Sequence, residues 1–183
     1  MPHIEDRSSL VRLRPPTVDD APSIWKLARD SGALDLNSQY AYLVLCRDFA
    51  ATSLVAEKQR HGVVGFVVGY RPPARSDTLF VWQVAVARDE RGRGLGLKLL
   101  EQLVDRVSAQ GADRVEATVT ASNAPSQRLF RALASSRDAA LEIEPLFEQR
   151  LFCDGHDEEQ LLRIGPFAPT APVSQGSEFS AAS

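Results

Sequence analysis

The chain has 183 residues, 44% of them hydrophobic and 25% charged, and its 21 basic side chains nearly balance 24 acidic ones. At about 100–200 residues per domain, this length predicts one domain that buries a core without disulfides or metal. A net charge of −3 argues against a general affinity for nucleic acid, which needs a basic surface. No run reaches the ~18 consecutive apolar residues of a membrane span, so we expect no membrane partner.

The cysteines and the first residues bear on the cellular compartment. Cys46 and Cys153 lie far apart in the chain and do not have the spacing of a metal or redox motif. The start, Met-Pro-His-Ile-Glu-Asp-Arg, has neither the basic flank nor the apolar segment of a secretory signal. We therefore expect two reduced thiols in a cytoplasmic protein.

The first half of the chain predicts a strand, two helices and three further strands. Thr17 and Asp20 have capping-box spacing before the first helix, and Gly32 is placed to end it. The run 78–86 is apolar on both faces, as expected of a strand in the middle of a sheet. The predicted elements are a strand over 10–14, helices ending at about 32 and 50, hairpin strands over 53–58 and 63–70, and the strand over 78–86.

The second half predicts two helices, a strand between them and a closing pair of strands. The helices are expected over 95–109 and 124–134, the single strand over 115–119, and the closing pair over 148–152 and 161–164. After Gly165-Pro166 the chain is rich in Pro, Ser and Ala, which predicts disorder. We therefore predict a flexible N-terminus over 1–9, one α/β or α+β domain over 10–166, and a disordered tail over 167–183.

A glycine- and arginine-rich turn follows the strand over 78–86. It reads Arg91-Gly92-Arg93-Gly94-Leu95-Gly96 and leads into the helix over 95–109. Glycines allow several main-chain N–H groups to face one point, and a helix N-terminus adds partial positive charge there. Arginines can add charge-assisted hydrogen bonds. The turn therefore predicts a phosphate site, in preference to a turn that serves only helix–strand packing.

The spacing within this turn distinguishes between phosphate-binding families. The P-loop and the Rossmann fingerprint both fail at Leu97, where the first needs Lys and the second its third glycine. The pattern Arg-x-x-Gly-x-Gly over Arg91, Gly94 and Gly96 resembles the pyrophosphate loop of the GCN5-related N-acetyltransferases (GNAT), which hold acetyl-coenzyme A there. That resemblance implies the GNAT fold, with a mixed, mostly antiparallel central sheet flanked by helices.

The resemblance extends to Asn123, after the strand over 115–119. In the resembled family an Asn here contacts the pantetheine arm, although Asn123 alone could equally be a helix N-cap. Many members carry, at the position of Phe130, a Tyr that protonates the leaving thiolate, so here another group or solvent must do so, or the thiolate departs unaided. The acetyl-coenzyme A residues that the resemblance implies are Val84, Val86, Arg91, Gly92, Arg93, Gly94, Leu95, Gly96, Asn123 and Ser126.

Two further segments resemble a narrower family, the L-2,4-diaminobutyrate acetyltransferases of ectoine biosynthesis. They are Asp35-Leu36-Asn37-Ser38-Gln39-Tyr40 and the run 153–164, and the resemblance covers about 10–166. It implies acetyl transfer to the terminal (N4) amine of a small diamino acid, a homodimer and no metal. The substrate residues that it implies are Asp35, Tyr40, Trp82, Asp154, His156 and Glu159, of which His156 and Glu159 are also the expected catalytic residues.

The chemistry of a diamino acid is compatible with these residues. Two ammonium groups need at least two carboxylates, and Trp82 offers a cation–π wall. The strand over 78–86 contains no Glu, so we expect Glu159 or His156 to remove the proton of the amine and a main-chain N–H near Val84 to stabilise the oxyanion.

Plainer interpretations of the same residues stay open at this point. Asp35 could cap a helix, Trp82 and Tyr40 could serve packing, and the acidic run 157–159 could be a solvated turn. Two other functions are compatible with the sequence: an acetyltransferase of the same fold that acts on a polyamine or other amine, and a non-catalytic protein that binds acetyl-coenzyme A and regulates a partner.

Overall fold

A seven-stranded sheet with helices on both faces organises the computed structural model, which describes residues 11–153 and 155–168. The strand order is β1-β2-β3-β4-β5-β7-β6, and only β4 and β5 pair in parallel. The predicted mixed, mostly antiparallel sheet is confirmed. The elements are β1 (Val11–Arg14), α1 (Ala21–Ser31), α2 (Gln39–Asp48), β2 (Leu54–Lys58), β3 (Gly62–Tyr70), β4 (Thr78–Val86), α3 (Leu95–Ser108), β5 (Arg114–Thr120), α4 (Ala124–Ser136), β6 (Leu141–Phe147) and β7 (Glu159–Ile164).

Two apolar clusters, one on each face of the sheet, form the core. The larger one joins α3 and α4 to the strands through side chains such as Leu99, Leu103 and Leu133. The smaller one joins α1 and α2 to the strands through Ile24 and Phe66. Because both faces of the central strands are covered, those strands are apolar throughout, as the sequence predicts for 78–86.

Local signals fix the ends of α1. The Asp20 carboxylate accepts a hydrogen bond from the Thr17 N–H at 2.7 Å, as the capping-box spacing predicts. Arg14 donates to the same carboxylate at 2.7 Å and so ties β1 to the start of α1. Gly32, with φ +68°, ends the helix in the left-handed conformation.

The parallel strands β4 and β5 separate in the middle of the sheet. They pair only from Thr78 with Arg114 to Phe80 with Glu116. Beyond Phe80 the two strands have no further paired residues, so the main-chain groups of β4 on that side are not used in pairing with β5. The resulting cleft opens at the C-terminal ends of the two strands.

A β-bulge changes which side chains of β4 face which helices. Val68 pairs with Gln83 and Gly69 with Val81, so Trp82 is the extra residue. A Cβ on Gly69 would lie 2.5 Å from the Phe80 carbonyl oxygen, which explains the glycine there. One inserted residue reverses the alternation of the strand. Gln83 is thereby turned toward the α1–α2 side.

The closing strands and the end of the domain differ from prediction. The strand expected over 148–152 is wrong, because Gln149–Leu151 forms a short 3₁₀ turn and the strand is β6. It was missed because β6 is a largely exposed edge strand containing Pro145, which favours edge positions.

The predicted start of the disordered tail at 167 is wrong for Phe167, which is 6% exposed and whose N–H donates to the Asp113 carbonyl. Its large apolar ring packs in the larger core cluster and gains burial energy there.

The remaining predicted elements agree with the structure to within a few residues at their ends. The predicted N-terminus over 1–9 and the tail beyond Ala168 lie outside the described residues. Within the described ranges, no helix has the length and hydropathy needed to cross a membrane.

Candidate active site

The turn between β4 and α3 has the conformation that its glycines predict. Gly92 and Gly94 both have φ +76°, a region that a side chain makes costly, and Gly94 is the N-cap of α3. The α3 N-terminus therefore points its free N–H groups into the turn. Arg91 donates to the Val86 carbonyl at 3.1 Å, which holds the turn against the end of β4.

A cavity of about 470 Å³ lies beside this turn, between β4 and the start of α4. Glycine and aliphatic side chains form most of its wall, with cationic groups at the rim from Arg91 and Arg128. Such a cavity suits a ligand with a phosphate end and a slender apolar arm. Every residue predicted to contact the cofactor lines it except Arg93, whose side chain is 67% exposed and pairs with Glu90.

The start of α4 forms the far wall of the same cavity. Asn123 caps the helix by accepting a hydrogen bond from the Ser126 N–H at 3.1 Å. Asn123 and Ser126 also line the cavity, so capping and a role in binding are compatible. Phe130, one turn further on, is 3% exposed and lines the neighbouring cavity.

A second cavity of about 320 Å³ continues from the first between the separated ends of β4 and β5. Its wall is more polar, and the carboxylates of Asp35 and Glu159 contribute to it together with His156. The two cavities share the lining residues Ala33, Leu34, Val84, Asn123 and Ser126. A group that reaches the end of the first cavity at Val84 therefore meets a group bound in the second.

Three titratable side chains converge on this second cavity. His156 Nε2 lies 3.1 Å from Asp35 Oδ2 and 3.7 Å from Glu159 Oε1. His156 Nδ1 lies 2.6 Å from the Asp157 carbonyl oxygen. Both ring nitrogens thus face acceptor oxygens, an arrangement that favours the protonated ring. A protonated imidazole cannot take a further proton, whereas the Glu159 carboxylate can.

The pKa directions agree with this division of roles. Hydrogen bonding to the Asp157 carbonyl, together with the nearby Asp35 and Glu159 carboxylates, raises the pKa of His156 above its ordinary value. Burial raises the pKa of the Glu159 carboxyl, and the His156 cation opposes that shift in part. Glu159 Oε2 is buried and makes no hydrogen bond to any described residue. A partly desolvated carboxylate with a raised pKa is a stronger base than an exposed one.

The ligand atoms of Asp35, His156 and Glu159 lie within 4.8 Å of one another. This spacing would also allow a metal ion to bind, and no sequence motif indicates it because Asp35 and His156 are 121 residues apart. The same two carboxylates, placed around one point, can equally receive an ammonium group.

The other predicted substrate residues are placed differently. Trp82, the bulge residue, is 40% exposed and lines the second cavity. Tyr40 is 71% exposed at the start of α2 and lines neither cavity. The tyrosine that reaches this region is the buried Tyr42, whose hydroxyl donates to Gln83 at 2.8 Å. Asp154 lies outside the described residues. Gln83 was not predicted, because the bulge that orients it leaves no signal in the apolar pattern.

Comparison with known proteins identifies the family. The model of the acetyltransferase (GNAT) family matches residues 19–134. This range includes the glycine turn and strand β4, which forms a wall of both cavities. The chain belongs to the acetyltransferase (GNAT) family. The predicted family and its fold are thereby confirmed.

Relatives of known name share most of the chain with this GNAT protein. It is 47% identical over 90% of its length to an L-2,4-diaminobutyric acid acetyltransferase of Nocardia farcinica, of which 85% is covered. It is 51% identical over 84% of its length to the enzyme of that name from Streptomyces coelicolor, of which 91% is covered.

A solved structure agrees with this GNAT fold in detail. It is the diaminobutyrate acetyltransferase from Paenibacillus lautus in complex with its substrate L-2,4-diaminobutyric acid and coenzyme A. The TM-score is 0.82 at 37% identity, and the match covers 88% of this chain and 98% of that one.

Proposed function

We propose that this protein transfers the acetyl group of acetyl-coenzyme A to the terminal (N4) amine of L-2,4-diaminobutyrate, giving N4-acetyl-L-2,4-diaminobutyrate and coenzyme A. The observation that carries the proposal is the meeting of two cavities at Val84, one built for a phosphate-bearing arm and one lined by carboxylates. The names of the relatives at 47% and 51% identity support this acceptor.

Acetyl-coenzyme A supplies the thioester, and the first cavity holds it. The residues that contact it are those predicted from the turn and from α4, with Arg93 acting from the rim. The α3 N-terminus and Arg91 take the pyrophosphate, because main-chain N–H groups and a guanidinium both favour phosphate oxygens. The main chain of β4 beyond its pairing with β5 contacts the pantetheine arm.

The second cavity holds the diamino acid and activates its terminal amine. Asp35 and Trp82 receive one ammonium group. Glu159 accepts a proton from the other, because an alkylammonium group, whose pKa is about 10, cannot attack while it is protonated. The nitrogen lone pair then forms the C–N bond, and a main-chain N–H near Val84 stabilises the oxyanion. The nitrogen gives its second proton to solvent as the tetrahedral intermediate collapses to the amide.

The leaving thiolate departs toward the start of α4. When the C–S bond breaks, its electron pair goes to sulfur. Phe130 has no proton to give, but Asn123 and Ser126 line both cavities at the positive end of this helix. We therefore assign to this helix end the stabilisation of the thiolate, with solvent supplying the proton.

Three wider expectations belong to the same proposal. The product would serve ectoine biosynthesis, and hence osmoprotection, in the cytoplasm. The protein would form a homodimer, which the apolar side chains on and after the edge strand β6 support: Ile143, Leu146, Phe147 and Leu151 are 36–56% exposed. Sedimentation velocity of the wild type and of Leu146→Glu tests the dimer, and a monomeric wild type would contradict it.

A substrate panel tests the proposed acceptor. Thiol release from acetyl-coenzyme A is measured with L-2,4-diaminobutyrate, ornithine, lysine, putrescine and spermidine at equal concentrations. We expect diaminobutyrate to have the highest kcat/KM. A preference for putrescine or spermidine would keep the family but overturn the acceptor, and no turnover with any of the five would overturn the proposed activity.

A further inference from the structure

A buried polar chain connects α2, β4 and the loop that carries Asp35. The Tyr42 hydroxyl donates to Gln83 Oε1 at 2.8 Å, and Gln83 Nε2 donates to the main-chain carbonyl of Asp35 at 2.7 Å. Gln83 is 5% exposed and Tyr42 is fully buried. Buried polar groups are costly unless each finds a partner. Both side chains are therefore held in one geometry.

The Tyr42 end of this hydrogen-bonded chain lies within the apolar cluster between α1, α2 and the sheet. Tyr42 packs there with Ile24, Leu45 and Phe66. An apolar side chain of similar volume would fill the position of Gln83 without requiring any hydrogen-bond partner. Packing alone therefore does not account for an amide at this point, whereas its bond to the Asp35 carbonyl does.

The loop over 34–38 has little internal structure to hold Asp35 in place. No helix or strand is assigned between Ser31 and Gln39, and the Asp35 side chain is 78% exposed. Asn37 Nδ2 approaches the same Asp35 carbonyl only at 3.4 Å. The bond from Gln83 is much shorter and comes from a rigid strand. It fixes the main chain from which the Asp35 carboxylate reaches His156.

We infer that Gln83, held in turn by Tyr42, is a positioning residue that fixes Asp35 over the second cavity and so sets the affinity for the amine acceptor. The inference rests on the proposed function, because it assigns Asp35 to acceptor binding. Gln83 lines the second cavity, but its amide atoms are bonded to Tyr42 and to the Asp35 carbonyl, so it acts through the Asp35 main chain, whereas Glu159 acts on the acceptor directly. The cofactor cavity is outside its reach, since Gln83 is not among the residues that line it.

The test uses the double variant Gln83→Met/Tyr42→Phe. Removing both partners leaves neither side chain as a buried orphan of the other, and it also releases the Asn37 contact of the Tyr42 hydroxyl in the same loop. We expect KM for the acceptor to rise about tenfold, which corresponds to ~1.4 kcal/mol, while KM for acetyl-coenzyme A changes less than about twofold. In an Asp35→Asn background the same double change should raise the acceptor KM little further, because the carboxylate through which Gln83 acts is already absent.

A matched control separates positioning from general stability. Thr52, 8% exposed, donates a buried hydrogen bond to the Gly69 carbonyl at 2.7 Å and does not contact Asp35. Thr52→Val should lower Tm while leaving both Michaelis constants unchanged. If it raised the acceptor KM as much as the double variant does, the effect would be one of stability and the inference would be overturned.

A second readout needs no substrate. The chain has three histidines, so the His156 ring can be followed by NMR across pH. Asp35 is one of the groups that raise the pKa of His156, so this pKa should fall when the double variant releases the Asp35 loop. The His61 ring, which faces the Gln59 carbonyl, serves as an internal control. An unchanged His156 titration, with an acceptor KM effect that persists in Asp35→Asn, would overturn the inference. A wild type that does not acetylate diaminobutyrate would overturn the proposed function and leave this titration measurable.

Discussion

The two cavities that meet at Val84 are built in different ways. The first takes its wall mainly from one continuous stretch, the end of β4, the glycine turn and the start of α3, and its proposed contacts with the cofactor are mainly from main-chain groups. The second is assembled from β4, β5, the Asp35 loop and the segment before β7, and it acts through side chains. A main-chain site serves a ligand common to a whole family, whereas a side-chain site can be changed to suit one acceptor.

The largest effect should come from removing the base of the side-chain site. Glu159→Gln keeps the size of the side chain but cannot take a proton, so we expect kcat to fall about 10²–10⁴-fold. Wild-type kcat/KM should rise with pH through the pKa of Glu159, which burial raises, because only the carboxylate accepts the proton. The variant should lose that rise. Its control is the exposed neighbour Glu158→Gln, and equal losses in both would contradict the assignment.

The glycine turn can be tested without touching the acceptor site. Gly94→Val places a β-branched residue at φ +76°, which costs more than the ~1–2 kcal/mol of an ordinary left-handed residue. We expect KM for acetyl-coenzyme A to rise about tenfold or more, with KM for the diamine unchanged. Gly111→Val is the matched control, since Gly111 has φ +89° but lines neither cavity. A rise in both Michaelis constants would show that the two cavities are not independent.

A smaller effect is expected at the wall of the second cavity. Trp82→Leu removes an aromatic face that can attract an ammonium group, worth about 0.5–2 kcal/mol. The acceptor KM should therefore rise between about twofold and thirtyfold, with little change in KM for acetyl-coenzyme A. An unchanged acceptor KM would mean that the exposed part of Trp82 does not contact the acceptor.

The smallest effect is expected at Phe130, in the wall of the second cavity. Phe130→Tyr restores a phenol at the position that many family members use for the thiolate. Because the start of α4 already stabilises negative charge there, we expect kcat to change by less than about threefold, or ~0.6 kcal/mol. An increase well beyond that, measured at saturating concentrations of both substrates, would show that thiolate departure limits the wild type.

Most of the fold was predictable because its signals are local. Gly32 ends α1, and the apolar run over 78–86 corresponds to the bounds of β4. The prediction failed at β6 because this edge strand is largely exposed. Its sequence, which contains Pro145, therefore resembles that of a loop. Phe167 was missed because a single ring that packs back onto the core gives no periodic signal.

The site was predictable in proportion to how local it is. The glycine turn is six consecutive residues, and its conformation follows from its own sequence. The contact of Asp35 with His156 spans 121 residues, so the residues could be named by resemblance but their distances could not. Gln83 escaped prediction because a bulge at Trp82 reverses the faces of β4, and a bulge depends on the partner strand.

The position of the acetyl group in the product is the most direct test of the account. ¹³C-acetyl-coenzyme A and L-2,4-diaminobutyrate are incubated with the wild type, and the amide formed is assigned by NMR. If Asp35 and its neighbours hold the α end of the acceptor while Glu159 deprotonates the other end, all of the label will be on the terminal nitrogen. Label on the α nitrogen, or a mixture of both, would contradict the assignment of the two ends to these residues.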